Sequence, residues 1–147
     1  MPDEPKLRVL FDLNVVLDVL ARRHPHYADA ARVWAYVESG QMEGLLAAHS
    51  VTTLFYLLRR HLGLAQAKLA LRDVLRVFRV AAVDQDVIQA ALALDWNDFE
   101  DAVQVAVAIT ASVAYRITRN EDDFAGSAIP VIHPANFPQL GQVASLG

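Results

Sequence analysis

The apolar positions of this chain switch between two periods, and the switches divide it into alternating strands and helices. Leu7-Arg8-Val9-Leu10-Phe11 is a short β-type run. Behind it, Val15 to Arg23 reads as helical and stops around Pro25. Tyr27, Ala30, Ala31, Trp34 and Val37 recur at spacings of three and four, which predicts a helix ending near Gly40. Gly44 to Ala48 reads as a second strand. Ser50 has the character of an N-cap for a helix from Val51 to His61 that Gly63 terminates.

Ala65 to Val77 is a further amphipathic helix, and Phe78 to Val83 a short strand. Val87 to Leu94 is helical again, and Asn97 or Asp98 caps a helix running to about Ser112. Val113 to Thr118 and Pro130-Val131-Ile132 close the series as strands. Strands separated by helices imply βαβ units and a mostly parallel sheet. The helix pairs between strands predict an α/β protein with a three-layer α/β/α sandwich. No repeat, low-complexity tract or linker divides the chain, so residues 1–147 are read as one domain with its core at about 7–137.

Composition adds constraints to this outline. Apolar residues make up 54% of the chain and charged residues 20%, above and below the usual proportions respectively. Part of the apolar excess is expected to lie in a homodimer interface. The absence of cysteine excludes disulfides and thiolate metal sites. No basic, apolar leader opens the sequence and no apolar run approaches the ~18 residues of a membrane span, so a cytoplasmic protein without membrane contact is expected. A net charge of −4 argues against binding nucleic acid over the whole surface. Local binding through a divalent metal and a few arginines is compatible with it.

In an open parallel sheet, the segments following the strands meet at the carboxyl edge, where ligands bind. Three such segments carry acids: Asp12 with Asn14 and Asp18, then Asn97-Asp98-Phe99-Glu100-Asp101, then Thr118-Arg119-Asn120-Glu121-Asp122-Asp123. Carboxylates converging from three segments suit a hard cation, Mg²⁺ or Mn²⁺. The chemistry this supports is metal-assisted phosphodiester hydrolysis. Each acid also has a plain structural role open to it. Asp98 can be a helix cap, Asp101 can favour the helix dipole, Asp18 can be solvated or paired with Arg22, and Asp122 and Asp123 can be turn residues.

No serine–histidine–aspartate order and no glycine-rich phosphate loop is present, and His24-Pro25-His26 lacks the spacing of a helical zinc pair. Arg22-Arg23 and Arg59-Arg60-His61 are open to phosphate contact, although charged residues at helix ends are usually just solvated, and Trp34 and Trp96 read as core or interface residues rather than base-stacking platforms. Phe11-Asp12-Leu13-Asn14 also has the outline of the opening motif of haloacid dehalogenase-type phosphatases. That chemistry needs a second aspartate where Asn14 stands.

Phe11 to Asp18, Asp98-Phe99-Glu100-Asp101-Ala102 and Thr118 to Phe124 together resemble the PIN-domain family, and within it the small prokaryotic VapC-like toxins of type II toxin–antitoxin systems. The resemblance runs from Leu7 to about Phe137 and implies a Mg²⁺- or Mn²⁺-dependent endoribonuclease, with RNA as substrate and a possible cognate antitoxin as partner. By position, it makes Asp12, Asp101 and Asp123 the catalytic, metal-binding acids, with Asp98 and Glu100 as further candidates. Asn14 and Thr118 would orient Asp12, and Asn120 falls where many relatives carry an aspartate. The family's helix glutamate is replaced by Thr53. Either Glu100 or Asp98 compensates, or metal binding is weakened, or activity is lost, leaving a PIN-like module that binds RNA or protein.

Overall fold

The computed structural model describes residues 6–120 and 128–137. Five strands form one parallel sheet: β1 (Leu7–Phe11), β2 (Met42–Ala47), β3 (Arg79–Ala81), β4 (Tyr115–Ile117) and β5 (Val131–Ile132). Their spatial order is β3-β2-β1-β4-β5. Leu7 to Leu10 pair with Met42 to Leu45 on one side of β1, and Val9 to Phe11 pair with Tyr115 to Ile117 on the other. The chain therefore grows outward from β1 through β2 and β3, then returns to add β4 and β5 on the opposite flank.

Helices α1 (Leu13–Leu20), α2 (Tyr27–Glu38), α3 (Ala48–Leu62) and α4 (Leu64–Val77) cover one face. Helices α5 (Gln85–Ala93) and α6 (Phe99–Thr110) cover the other. Alternation along β1 explains the two cores: Val9 and Phe11 pack with α1 to α4, while Leu10 packs with α5 and α6. The three-layer α/β/α architecture is thus as its pattern predicts.

Several boundaries differ from the expected ones, each for a local reason. The first helix begins at Leu13 because the Asp12 side chain caps it, accepting the Asn14 N–H at 3.0 Å. It ends at Leu20 because Arg22 adopts a φ of +50°, turning the chain back so that the Arg23 N–H reaches the Asp18 carbonyl at 3.0 Å. Ser50 is not a cap. Strand β2 feeds α3 without a loop, Ala47 takes the extended cap position, and the buried Ser50 hydroxyl instead accepts from Gln104. Phe78 belongs to the end of α4, where its N–H closes on the Val74 carbonyl, so β3 starts only at Arg79.

Gly44 in the middle of β2 is required by close packing. A Cβ there would lie 2.7 Å from the Phe78 ring and 2.9 Å from Val37. That ring is itself held edge-on by Phe11 and Trp34, each at 4.9 Å between centroids. Gly44→Ala is therefore expected to destabilise the fold by about 1–3 kcal/mol through overpacking, measured as a lower urea midpoint with an unchanged m-value.

Candidate active site

The reversal of strand order beside β1 leaves a crevice outside the carboxyl ends of β1 and β4, the position at which open α/β sheets bind ligands. A cavity of about 470 Å³ lies there, lined among others by Asp12, Asn14, Thr53, Glu100, Asp101 and Asn120, with Gln104 and Arg116 deeper in. Asp12 directly follows β1, and its carboxylate is held on both oxygens. Oδ1 accepts from the Asn14 backbone at 3.0 Å, and Oδ2 accepts the Thr118 hydroxyl at 2.7 Å. Thr118 is fully buried at the end of β4 and also accepts the Asn120 N–H at 3.2 Å. The pairing of β1 with β4 thus decides where Asp12 points.

Glu100 and Asp101 come from the first turn of α6, where the helix N-terminus favours negative charge. Asp98 caps that helix, accepting the Asp101 N–H at 3.1 Å, and does not line the cavity. Of its two possible roles, the structure displays the cap. Asp123 lies outside the described residues, as do Glu121 and Asp122.

Asp18 is neither solvated nor paired with Arg22. It is completely buried and receives Arg23 Nε and Arg119 Nε, each at 2.8 Å. The turn at Arg22 carries that side chain past Asp18 and brings Arg23 back onto it.

Sequence reasoning passes over three residues that shape the cavity. Arg116 is 1% exposed and belongs to β4, where an arginine inside an apolar run was the available signal. Burial lowers its pKa to about 10, against the opposing pull of Asp12, Asp101 and Glu100. It stays protonated at neutral pH and places a cation beneath the acids. His49 and Gln104 are the other two. Gln104 donates to Ser50 Oγ at 3.0 Å and to Glu100 Oε1 at 3.1 Å, while His49 Nε2 lies 3.0 Å from the same carboxylate. His49 stands four residues before Thr53 on α3, on the same helix face. The His49 hydrogen bond is the main reason that the Glu100 pKa is lowered, with Gln104 adding to it and burial opposing it.

No three His, Cys, Asp or Glu side chains among the described residues are grouped closely enough to hold a metal by themselves. The donors lining the cavity are nevertheless hard oxygens, with the Asp12 and Asp101 carboxylates beside the Asn120 amide. A small cation that keeps most of its waters needs only one or two carboxylates, and this set fits that requirement.

The chain belongs to the PIN-domain family: the family model described as PIN domain matches residues 8–122. Its fold is shared by solved structures of low sequence identity. VapC20 of Mycobacterium tuberculosis, described as a sarcin-ricin loop cleaving toxin, is 20% identical, with 82% of this chain and 96% of that one covered and a TM-score of 0.64. A toxin–antitoxin complex from Klebsiella pneumoniae is 22% identical, covering 88% and 99%, with a TM-score of 0.67. VapBC2 from Rickettsia felis, bound to a DNA fragment from its promoter, is 10% identical, covering 86% and 98%, with a TM-score of 0.68. No curated protein matches significantly. No helix among the described residues is long and apolar enough to cross a membrane.

Removing the His49 imidazole removes the principal cause of the lowered Glu100 pKa. In His49→Ala the Glu100 carboxyl is expected to titrate at higher pH, followed by side-chain carbonyl NMR. A carboxyl whose folded pKa lies below its unfolded value stabilises the fold above the unfolded pKa, and that contribution is lost as pH falls through the folded pKa. The Glu100 contribution to acid sensitivity below about pH 4.5 should accordingly shrink in the variant.

Proposed function

We propose that this protein is a Mg²⁺- or Mn²⁺-dependent endoribonuclease and the toxin of a toxin–antitoxin pair. The observation that carries the reading is a single cavity at the β1/β4 crevice, lined by Asp12, Glu100 and Asp101, with Asp12 fixed by Thr118 and Asn14. PIN-domain nucleases generally use divalent metals. Asp12 and Asp101 would hold the cation, with Asp123 as a further ligand and Glu100 and Asn120 in support. A bound divalent cation supplies an activated water and neutralises charge that builds on the phosphate.

The protein's own residues have separate tasks. Thr118 through its hydroxyl and Asn14 through its backbone N–H donate to the two oxygens of Asp12, which fixes the orientation of the carboxylate. Arg116 lies close enough to Asp12, Asp101 and Glu100 to offset part of their charge. His49 and Gln104 hold Glu100 at the cavity rim. An antitoxin as partner is supported by the complexes among the structural neighbours.

One observation favours a second reading, a PIN-like module of weak catalytic power that binds RNA or protein. Thr53 lines the cavity where the family resemblance calls for glutamate, and a hydroxyl is a much poorer ligand for a hard cation than a carboxylate.

Manganese titration calorimetry separates the two. Wild type is expected to bind saturably and to cleave single-stranded RNA, with Asp12→Asn losing both by at least about 100-fold. Thr53→Glu adds a carboxylate and should tighten binding. Arg116→Met removes a buried cation and should also tighten it, by several-fold. Absence of binding and cleavage in wild type, with binding gained in Thr53→Glu, would establish the second reading.

A homodimer is part of the proposal, supported by the high apolar content and by exposed Leu69 and Leu75 on α4. Light scattering at micromolar concentration should give twice the mass of one chain; a monomer would remove this point.

A further inference from the structure

Beside the acidic cavity the structure builds a second polar cluster of opposite charge. Its centre is Asp18, completely buried on α1. Arg23 Nε donates to Asp18 Oδ1 at 2.8 Å, and Arg119 donates through Nε to Oδ2 at 2.8 Å and through Nη2 to Oδ1 at 3.4 Å. Arg23 Nη2 reaches on to the Asn14 carbonyl at 3.2 Å and to its side-chain oxygen at 3.3 Å. Arg119 Nη1 lies 3.3 Å from His26 Nε2.

A buried carboxylate needs a cationic partner, because an isolated charge in the interior is costly. One guanidinium would neutralise Asp18. Two leave a net positive charge, and it is not sealed in: about a quarter of each arginine side chain remains exposed, 29% for Arg23 and 25% for Arg119. Arg23 Nη1 makes no hydrogen bond among the described residues. Arg23 therefore keeps Nη1 unused and each Nη of Arg119 keeps a second N–H, on partly exposed side chains fixed by Asp18, and fixed guanidinium N–H groups suit phosphate oxygens.

The position of the pair relative to the cavity is fixed by covalent and hydrogen-bond links. Arg119 stands between Thr118, which holds Asp12, and Asn120, which lines the cavity. Arg23 is joined to the same cavity through Asn14, whose amide turns its oxygen to Arg23 and its nitrogen to Asp12 at 3.4 Å. An acidic cavity with a basic shoulder suits a polyanionic strand: the phosphate to be cut enters over the acids, and another phosphate of the same strand meets the arginines.

We propose that Arg23 and Arg119, set in place by the positioning residue Asp18, form a phosphate-binding subsite that grips the backbone of the RNA strand away from the bond that is cut. The subsite rests on the reading of this protein as one that binds RNA. It adds strand-holding residues that the acidic cavity does not contain.

The test is fluorescence anisotropy with a labelled single-stranded RNA, using the full chain carrying Asp12→Asn in Mg²⁺ so that the strand stays intact. The affinity is measured over a series of KCl concentrations. For a single strand, every phosphate that the protein ceases to neutralise reduces the slope of log affinity against log salt by about 0.7. Arg23→Gln and Arg119→Gln are each expected to weaken binding several-fold and to reduce the slope by about this amount. Arg119→Lys, which keeps the charge, should retain the slope. Arg79→Gln, at the amino edge of the sheet on exposed β3, should leave affinity and slope unchanged.

Each single variant leaves Asp18 one arginine, and thermal melts followed by circular dichroism verify that it is folded. Either glutamine variant suffices if the other unfolds. An unchanged slope in folded variants, with the parent still binding, overturns the subsite and leaves the RNA reading standing. Absence of salt-dependent binding by the parent overturns both.

Discussion

The parallel pairing of β1 with β4 joins segments of chain about a hundred residues apart, and the rest of the site depends on it. The hydrogen bond from Thr118 to Asp12 spans 106 positions in sequence. It exists only because the register sets Phe11 opposite Ile117, which brings the next residue of each strand together. The same pairing is where strand order reverses, so the backbone diverges on either side and opens a crevice at that edge. A bent or slipped β4 would cost the protein more than a few ladder hydrogen bonds. It would move Thr118, release Asp12, and displace Arg116 and Arg119 with it.

Charge is distributed around this crevice in a way that no single residue explains. Three carboxylates line one cavity, and the buried Arg116 beneath them limits their mutual repulsion. Next to it, the buried Asp18 gathers two partly exposed arginines. Each cluster has its counter-charge buried and its excess charge facing outward. A chain with a net charge of −4 thus holds acidic and basic side chains in separate, adjacent places.

Helix α3 brings a hydroxyl and an imidazole, not a carboxylate, to this side of the crevice. Thr53 lines the cavity without a carboxylate, and His49, one turn earlier on the same face, engages Glu100 from α6 instead. Acidic charge at the rim is thus supplied across the cavity by α6 and fixed by α3. Gln104 Nε2 lies 3.0 Å from Ser50 Oγ, 3.1 Å from Glu100 Oε1 and 3.2 Å from His49 Nε2, so one amide nitrogen ties α3 to α6.

The architecture is legible in the order of residues alone, because alternating apolar periods carry it: the strands, the helices on both faces and the acids at strand ends are all local patterns. Asp12 was legible because a polar residue directly after a buried strand has few other places to go, and Asp98 because an acid three residues ahead of a helical backbone N–H caps it. Whatever rests on contacts distant in sequence took shape only when the elements packed. Arg116 looks like an ordinary strand residue until β4 is set against β1 and α6, and His49 and Gln104 find Glu100 only when α3 and α6 meet across the sheet edge. The partner of Asp18 was chosen by a left-handed turn at Arg22 and by a second arginine more than a hundred residues away. Periodicity fixes which face a side chain occupies; which charges meet there is settled by strand order and register, and neither is written in any local run of residues.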